Sequence, residues 1–226
     1  ETRTSDALGH KWDEGVVTTE PTAQDEGEKT FTCSVCGETC TEAIPAKGES
    51  APSFKDVPSD AYYADAVAWA VGKSITNGTS ADTFSPNDTC TRAQVVTFLW
   101  RAAGEPEPTG TDNPFTDVQE GAYYYKAVLW AVEKGITNGL TATTFGPDRF
   151  CTRGQAVTFL WRAESEPVPE SERNPFTDVT SGAYYERAVL WALEHHITNG
   201  LTDTTFGPDN SCTRAQIVTF LYRDLT

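Results

Sequence analysis

The sequence predicts a mainly α-helical protein of three helix-loop-helix repeats, preceded by a small module that favours β-strands. Three observations predict this organisation. An ordered set of motifs recurs every 61 residues, each copy carries two apolar patterns of helical period, and the N-terminal segment lacks both. The implied boundaries are residues 1–50 for the small module and 51–104, 111–165 and 172–226 for the three repeats.

The small module is predicted to form strands because threonines and apolar residues cluster at Val16–Thr19 and Lys29–Thr32. A module of this size has too little core to be stable without additional help, such as a metal ion or a disulfide.

Each repeat is predicted to begin with an amphipathic helix and to end with a capped one. In the first repeat, Tyr63, Val67, Ala70 and Val71 form an apolar stripe of helical period. The first helices are expected at 61–73, 122–134 and 183–195. Each second helix follows a capping box, in which a threonine precedes a glutamine by three residues. These pairs are Thr91 with Gln94, Thr152 with Gln155, and Thr213 with Gln216.

The segments between helices contain turn and linker signals. An Asn-Gly pair in each repeat tolerates a positive φ and predicts a turn. The proline-rich, acidic segments 104–108 and 166–170 are predicted to be extended connectors between repeats. Cys90, Cys151 and Cys212 stand at one equivalent position before each capping threonine, where a small apolar residue fits, and they are predicted to be buried free thiols.

Composition excludes several classes of partner. The chain of 226 residues has 17 Lys and Arg against 33 Asp and Glu, which gives a formal net charge of −16. Such acidity provides no general attraction to nucleic acid or anionic lipid. No segment approaches the run of about 18 apolar residues expected of a membrane-spanning helix. We therefore expect neither nucleic-acid binding nor membrane insertion.

The ordered motifs resemble the S-layer homology family. Phe-x-Asp-Val, Tyr-Tyr-x-x-Ala-Val-x-Trp-Ala, Ile-Thr-Asn-Gly, Thr-Phe-x-Pro and Cys-Thr-Arg-(Ala/Gly)-Gln occur in this order three times over about 54–223. The resemblance implies a pseudo-threefold bundle and a non-catalytic anchor that binds secondary cell-wall polysaccharide, often pyruvylated, in grooves between repeats. It also implies an extracellular location in the cell wall or S-layer, with the effector region upstream in a larger parent protein.

One departure from the family concerns the second helix. The family's Thr-Arg-Ala-Glu carries Gln at the fourth position here, at Gln94, Gln155 and Gln216. Glutamine keeps the capping role and removes a carboxylate beside the arginine. This change, with the net acidity, keeps open an alternative in which the repeats contact protein partners and the polysaccharide grooves have decayed.

Arginine, glycine and tryptophan supply the candidate polysaccharide-binding residues. The arginine at the first helical position can reach outward beside free helix N–H groups and receive an anion, or it can pair with the Asp of Asp-Val. The glycine of Asn-Gly can admit a sugar ring, or it can simply serve the turn. The tryptophan near the helix end can stack on a sugar, or it can close the core. These candidates are Arg92, Arg153, Arg214, Gly78, Gly139, Gly200, Trp100 and Trp161. Because the second and third repeats are the most alike, Arg153 and Arg214 are predicted to be the working pair.

The small module also carries a candidate metal site. Cys33 and Cys36 have the spacing of a zinc knuckle, and Cys40 and His10 are candidates for the third and fourth ligands of a structural zinc. The module resembles a short repeat found beside such domains in Gram-positive surface proteins, in which Ala23 here replaces a cysteine. The alternatives are a disulfide among the three cysteines and an incomplete site.

The chain contains no motif typical of a catalytic site, and no enzyme activity is expected.

Overall fold

The computed structural model describes residues 10–20, 26–44, 54–110, 112–171 and 173–226. The chain divides into two compact units, Glu1–Ala51 and Pro52–Thr226. The position of Ala23 lies outside the described residues.

The N-terminal unit contains an antiparallel sheet, as the sequence predicts. Its strands are β1 (Val16–Thr19), β2 (Gly27–Thr32) and β3 (Thr39–Ile44), in the order β1-β2-β3. A register shift between Val17 and Thr19 interrupts the β1–β2 pairing. All of β1 and most of β3 are exposed to solvent.

The second unit is helical. Its helices are α1 (Ala64–Gly72), α2 (Arg92–Ala102), α3 (Tyr125–Glu133), α4 (Arg153–Ala163), α5 (Glu186–Glu194) and α6 (Arg214–Leu225). The first helix of each repeat begins later than predicted, because its first apolar residues lie in a turn. In the first repeat, the N–H of Ala64 donates to the carbonyl of Ala61 at 2.9 Å, and the regular helix starts only there.

The three predicted capping boxes are confirmed. The hydroxyl of Thr91 accepts from the N–H of Gln94, and the side chain of Gln94 accepts from the N–H of Thr91. The same reciprocal pair of bonds begins α4 and α6. These bonds satisfy N–H groups that have no partner within the helix.

Packing between repeats closes into a ring. Helix α3 packs on α2, α5 packs on α4, and α1 of the first repeat packs on α6 of the third. The second helices α2, α4 and α6 contact one another. Each repeat therefore contacts both others through its helices, and one continuous core extends through all three.

The cysteines before the second helices join the repeats at the point where these meet. The N–H of Cys151 donates to the carbonyl of Cys90, that of Cys212 to Cys151, and that of Cys90 to Cys212, at 2.8–2.9 Å. All three are buried free thiols, as predicted. Burial raises the pKa of Cys90 and Cys151 to about 12, so both thiols stay protonated at neutral pH.

The Phe-x-Asp-Val motif holds the loop that precedes each second helix. In the second repeat, the Asp117 carboxylate accepts from the N–H groups of Phe145 and Gly146 at 2.8 and 2.7 Å. Phe115 of the same motif packs against Phe145, with ring centroids 5.8 Å apart. Asp56 and Asp178 make the equivalent bonds in the other repeats.

We predict that Thr213→Ala lowers the free energy of unfolding by about 1 kcal/mol, because the substitution removes the acceptor for the N–H of Gln216. Urea denaturation followed by helical circular dichroism measures the change. Thr143→Ala is the control, since that side chain is exposed in a loop. Equal stability of the two variants would mean that the cap of α6 contributes nothing.

Candidate functional site

The three candidate arginines are buried rather than directed outward, which corrects the expectation from sequence. Arg92, Arg153 and Arg214 are 2%, 3% and 4% exposed. The Nε of Arg92 donates to the carbonyl of Phe145 in the next repeat at 2.9 Å. Arg153 donates likewise to Phe206, and Arg214 to Phe84 of the first repeat. Each arginine therefore connects its own repeat to the next, and the third connects to the first.

Aromatic rings enclose each guanidinium. The Cζ of Arg153 lies 4.7 Å from the ring centroid of Phe206 and 5.4 Å from that of Phe220. Arg92 and Arg214 have equivalent pairs of phenylalanines. The cation is thus held by ring faces and a carbonyl, and burial lowers the pKa of all three arginines. Since a guanidinium titrates far above neutrality, it stays charged.

The expected alternative, a direct ion pair with the Asp of Asp-Val, does not occur among the described residues. Asp117 instead accepts from the N–H of Phe145, whose carbonyl accepts from Arg92. The carboxylate and the guanidinium thus bind the two backbone groups of one phenylalanine. Their opposite charges still attract, since Asp117 raises the pKa of Arg92 against the larger effect of burial.

The Nη2 atoms distinguish the three arginines. Those of Arg92 and Arg153 are buried and have no hydrogen-bond partner among the residues that the structure describes. That of Arg214 donates to the hydroxyl of Thr76 at 3.3 Å. A buried guanidinium N–H without a partner is costly, so Arg92 and Arg153 each carry a donor that the fold leaves unsatisfied.

Arg92 and Arg153 each line a groove. The first groove, of about 330 Å³, is lined by Arg92, Thr137, Asn138, Gly139, Leu140, Gln155, Thr158, Phe159, Arg162 and Tyr184. The second groove, of about 320 Å³, is lined by the equivalent set Tyr62, Arg153, Thr198, Asn199, Gly200, Leu201, Gln216, Thr219, Phe220 and Arg223. Each groove thus combines side chains of all three repeats.

Charge in the grooves opposes the charge of the whole chain. Each groove is lined by two arginines, and no acidic residue is among the described residues of its lining, although the chain has a net charge of −16. Glutamine contributes to this difference. In the first groove, Oε1 of Gln155 accepts the capping bond from the N–H of Thr152. The amide nitrogen of Gln155 is then a hydrogen-bond donor at a position where the family's glutamate would have a negatively charged oxygen. Both grooves are therefore suited to an anion.

The candidate glycines serve the turn and also line the grooves. Gly200 has a φ of +84°, and a Cβ there would lie 2.6 Å from Phe176 Cε1. Gly78 and Gly139 have the same conformation and the same close approach to the phenylalanine of Phe-x-Asp-Val. Gly139 and Gly200 also line the two grooves. The structural requirement alone accounts for glycine at these positions.

The candidate tryptophans lie outside both grooves. The Nε1 of Trp100 donates to the carbonyl of Pro106 at 2.8 Å, and that of Trp161 donates to Pro167 at 2.7 Å. Both rings are largely buried. They hold the connectors that follow α2 and α4.

Sequence reasoning missed two groove positions, a tyrosine and a second arginine, each of which occurs in both grooves. Tyr62 and Tyr184 are exposed by 64% and 57% and line the grooves beside the arginine of another repeat. Arg162 and Arg223 supply the second guanidinium, and each donates to a carbonyl in the loop after the first helix of its own repeat. The Nε of Arg162 also lies 3.5 Å from Oε1 of Glu166. The signal available in the sequence was the recurrence of tyrosine every 61 residues, at Tyr62, Tyr123 and Tyr184. The structure adds that these rings are exposed, which is unusual for large side chains whose role is packing alone.

Three of the four candidate metal ligands come together in the N-terminal unit. One ligand atom from each of His10, Cys33 and Cys36 lies within 4.8 Å of the others. Cys40 is not in this group, which corrects the expected set. It lies on β3 opposite Phe31, and pairing within the sheet holds it apart. Backbone N–H groups of Cys36 and Val35 lower the pKa of Cys33 to about 6.

A family model for the S-layer homology domain matches residues 53–96, 114–157 and 175–218. The chain therefore belongs to the S-layer homology family, as its motifs predict. Membership indicates anchoring at the cell surface and an extracellular location at the cell wall or S-layer. No helix within the described ranges is long and apolar enough to span a membrane.

Relatives contain this region as part of longer proteins. The chain is 33% identical over 168 residues to an endoglucanase of Bacillus sp. (strain KSM-635). This alignment covers 72% of this chain and 18% of that protein. It is 30% identical over 178 residues to the surface-layer 125 kDa protein of Lysinibacillus sphaericus, and this alignment covers 79% of this chain and 15% of that protein. A cellulosome-anchoring protein of Acetivibrio thermocellus is 24% identical over 151 residues, covering 63% and 33%. The chain thus spans a third or less of the length of these relatives.

We predict that Gly200→Ala destabilises the protein more than Gly182→Ala. Both glycines have a φ of 80–84°, which costs alanine about 1–2 kcal/mol. Only the Cβ at residue 200 would also meet a phenyl ring, since nothing lies within 4 Å of the Cβ position at Gly182. Urea unfolding of the two variants measures the difference. Equal losses would show that the close approach to Phe176 is unimportant.

Proposed function

We propose that the three repeats attach a larger surface protein non-covalently to the cell wall by binding an anionic secondary cell-wall polysaccharide. The chain acts as a binding module without catalytic activity of its own, and the effector region lies upstream in the parent protein. The names of the relatives support this role, since they include a surface-layer protein and a cellulosome-anchoring protein.

The observation that carries the proposal is the pair of buried, unpartnered Nη2 atoms of Arg92 and Arg153. Each of these arginines lines a groove with a second arginine, and no acidic residue is among the described residues of either lining. A carboxylate bound there would accept a hydrogen bond from a donor that otherwise has none, and the low local polarity would strengthen the bond. A ketal-linked pyruvate on a sugar, which the family resemblance implies, has this chemistry.

A pseudo-threefold arrangement of the repeats accounts for the similarity of the grooves. The cyclic bonds of the three cysteines and of the three arginines support this arrangement. Local differences between the three repeats then decide which grooves bind the polysaccharide. Because the Nη2 of Arg214 already donates to Thr76, we propose Arg92 and Arg153 as the working pair, in place of Arg153 and Arg214.

Sugar recognition at these grooves would also involve the exposed tyrosines. Tyr62 stands beside Arg153 and Tyr184 beside Arg92. A phenol ring offers a flat apolar face for a sugar ring, while the arginine holds the anionic substituent. Binding therefore needs all three repeats, since the arginine, the Thr-Asn-Gly-Leu turn and the tyrosine each come from a different one.

We predict that Arg153→Lys weakens binding to purified wall sacculi about tenfold, whereas Arg214→Lys leaves it unchanged. Lysine keeps the charge but loses the planar fork, and one hydrogen bond to a charged group is worth about 1.5–3 kcal/mol. Co-sedimentation with sacculi, before and after removal of the accessory polysaccharide, measures binding. The two variants are matched, because both arginines donate to a phenylalanine carbonyl and lie between two phenyl rings.

Tyr62→Ala tests the second groove without disturbing the core, since the ring is mostly exposed. Weaker binding with unchanged thermal unfolding supports the proposal. If wall binding follows stability across all three variants, the arginines are structural only. If the wild-type chain still sediments with polysaccharide-free sacculi, its partner is another wall component. That result would favour the alternative in which the repeats contact protein partners.

We predict that added salt leaves wall binding unchanged or strengthens it. The long-range field of a chain with net charge −16 repels an anionic polymer, and salt screens that repulsion over about 10 Å at 0.1 M. The contacts inside a groove are shorter than this length and are screened less. Co-sedimentation over a range of sodium chloride concentrations checks the prediction, and a steep loss of binding would contradict it.

A further inference from the structure

The N-terminal unit lacks a hydrophobic core within residues 10–20 and 26–44. Cys33, at 2% exposure, is the one side chain buried there. Large apolar residues such as Trp12 and Val16 are exposed by 39% and 67%. A three-stranded sheet of this size needs a packed face or a covalent or metal cross-link to be stable. The position of its single buried side chain therefore indicates where such a link lies.

Cys33 begins a tight turn that brings two sulfur atoms together. The N–H of Gly37 donates to the carbonyl of Cys33 at 2.9 Å, and the N–H of Cys33 donates to that of Glu38 at 2.8 Å. Gly37 has a φ of +76°, which the turn requires. This geometry directs Cys33 and Cys36 to the same side, as in metal-binding Cys-x-x-Cys turns.

His10 reaches the same point from the segment before β1. Its Nδ1 lies 3.3 Å from the Sγ of Cys36. The other ring nitrogen, Nε2, lies 3.3 Å from Oε2 of Glu38. When the proton is on Nε2, it is beside the Glu38 carboxylate, and Nδ1 has its lone pair free to face the sulfur of Cys36. The same carboxylate oxygen also accepts from the Sγ of Cys36 at 3.8 Å, so Glu38 contacts both side chains. A carboxylate beside a metal-bound imidazole fixes its tautomer and ring orientation.

We propose that His10 Nδ1, Cys33 Sγ and Cys36 Sγ bind one zinc ion, and that Glu38 positions His10 through Nε2. Two thiolates and one imidazole are ligands that zinc prefers, and water completes a tetrahedral shell, since Cys36 and His10 are exposed. The ion links the segment that contains His10 to the turn between β2 and β3. It supplies the cross-link that the missing core makes necessary.

Metal analysis of the full chain tests this site, with Cys36→Ser as the main variant because Cys36 is exposed. The wild type is expected to retain about one equivalent of zinc after dialysis, and to give the absorption of thiolate-bound tetrahedral cobalt after exchange with Co²⁺. Cys36→Ser and His10→Ala are expected to lose both. Cys40→Ser is the matched control, an exposed cysteine of the same sheet, and it is expected to keep both.

Glu38→Gln tests the positioning role. Loss of a partner behind a metal-bound histidine typically weakens metal affinity about 10–100-fold, which competition with a chromophoric chelator measures. Helical circular dichroism of the repeats checks that each variant chain remains folded. A wild-type chain without zinc, whether its cysteines are free or in a Cys33–Cys36 disulfide, would overturn the proposal. Equal zinc loss in Cys36→Ser and Cys40→Ser would also overturn it.

Discussion

The bond from the first arginine of each second helix to a phenylalanine carbonyl of the next repeat holds the helical unit together. Arg92 reaches Phe145, Arg153 reaches Phe206, and Arg214 reaches Phe84, which closes the ring. Each phenylalanine is fixed in turn by an aspartate of its own repeat. Since a buried cation is stable only when its donors are satisfied, the loops, the rings and the second helices must all be in place before the arginine can be buried.

The same arginines connect architecture with recognition. Their Nε atoms serve the fold, while the Nη2 atoms of Arg92 and Arg153 are buried without a partner in the described part of the chain. Both arginines line grooves whose described residues include no acidic side chain. Rings and carbonyls hold each guanidinium rigidly, so a ligand would meet a donor that is already oriented and would lose little entropy on binding. Under the proposed function, a strongly acidic chain would recognise an anion at short range, because its described acidic residues lie outside the linings of the two grooves.

The two units achieve stability by different means. The repeats share one continuous core and three capping boxes. The described part of the N-terminal sheet buries one side chain, Cys33, beside a second cysteine and a histidine. Cysteine consequently has two roles in this chain. In the repeats, burial keeps the thiols protonated at the meeting point of the second helices, whereas in the sheet backbone N–H groups favour the thiolate of Cys33.

The sequence alone determined the features that depend on near neighbours along the chain. The capping boxes, the helical stripes and the Cys-x-x-Cys turn are local patterns, and each appears in the structure, although the first helix of each repeat begins three residues later than predicted. The period of 61 residues is the recurrence of such local patterns. Only the tertiary structure decided where the arginines point and what surrounds them, because Arg92 meets a carbonyl 53 residues away and shares a groove with Tyr184 of the third repeat. It likewise separated Cys40 from the other cysteines, since strand register, which is set by pairing between distant segments, places Cys40 opposite Phe31.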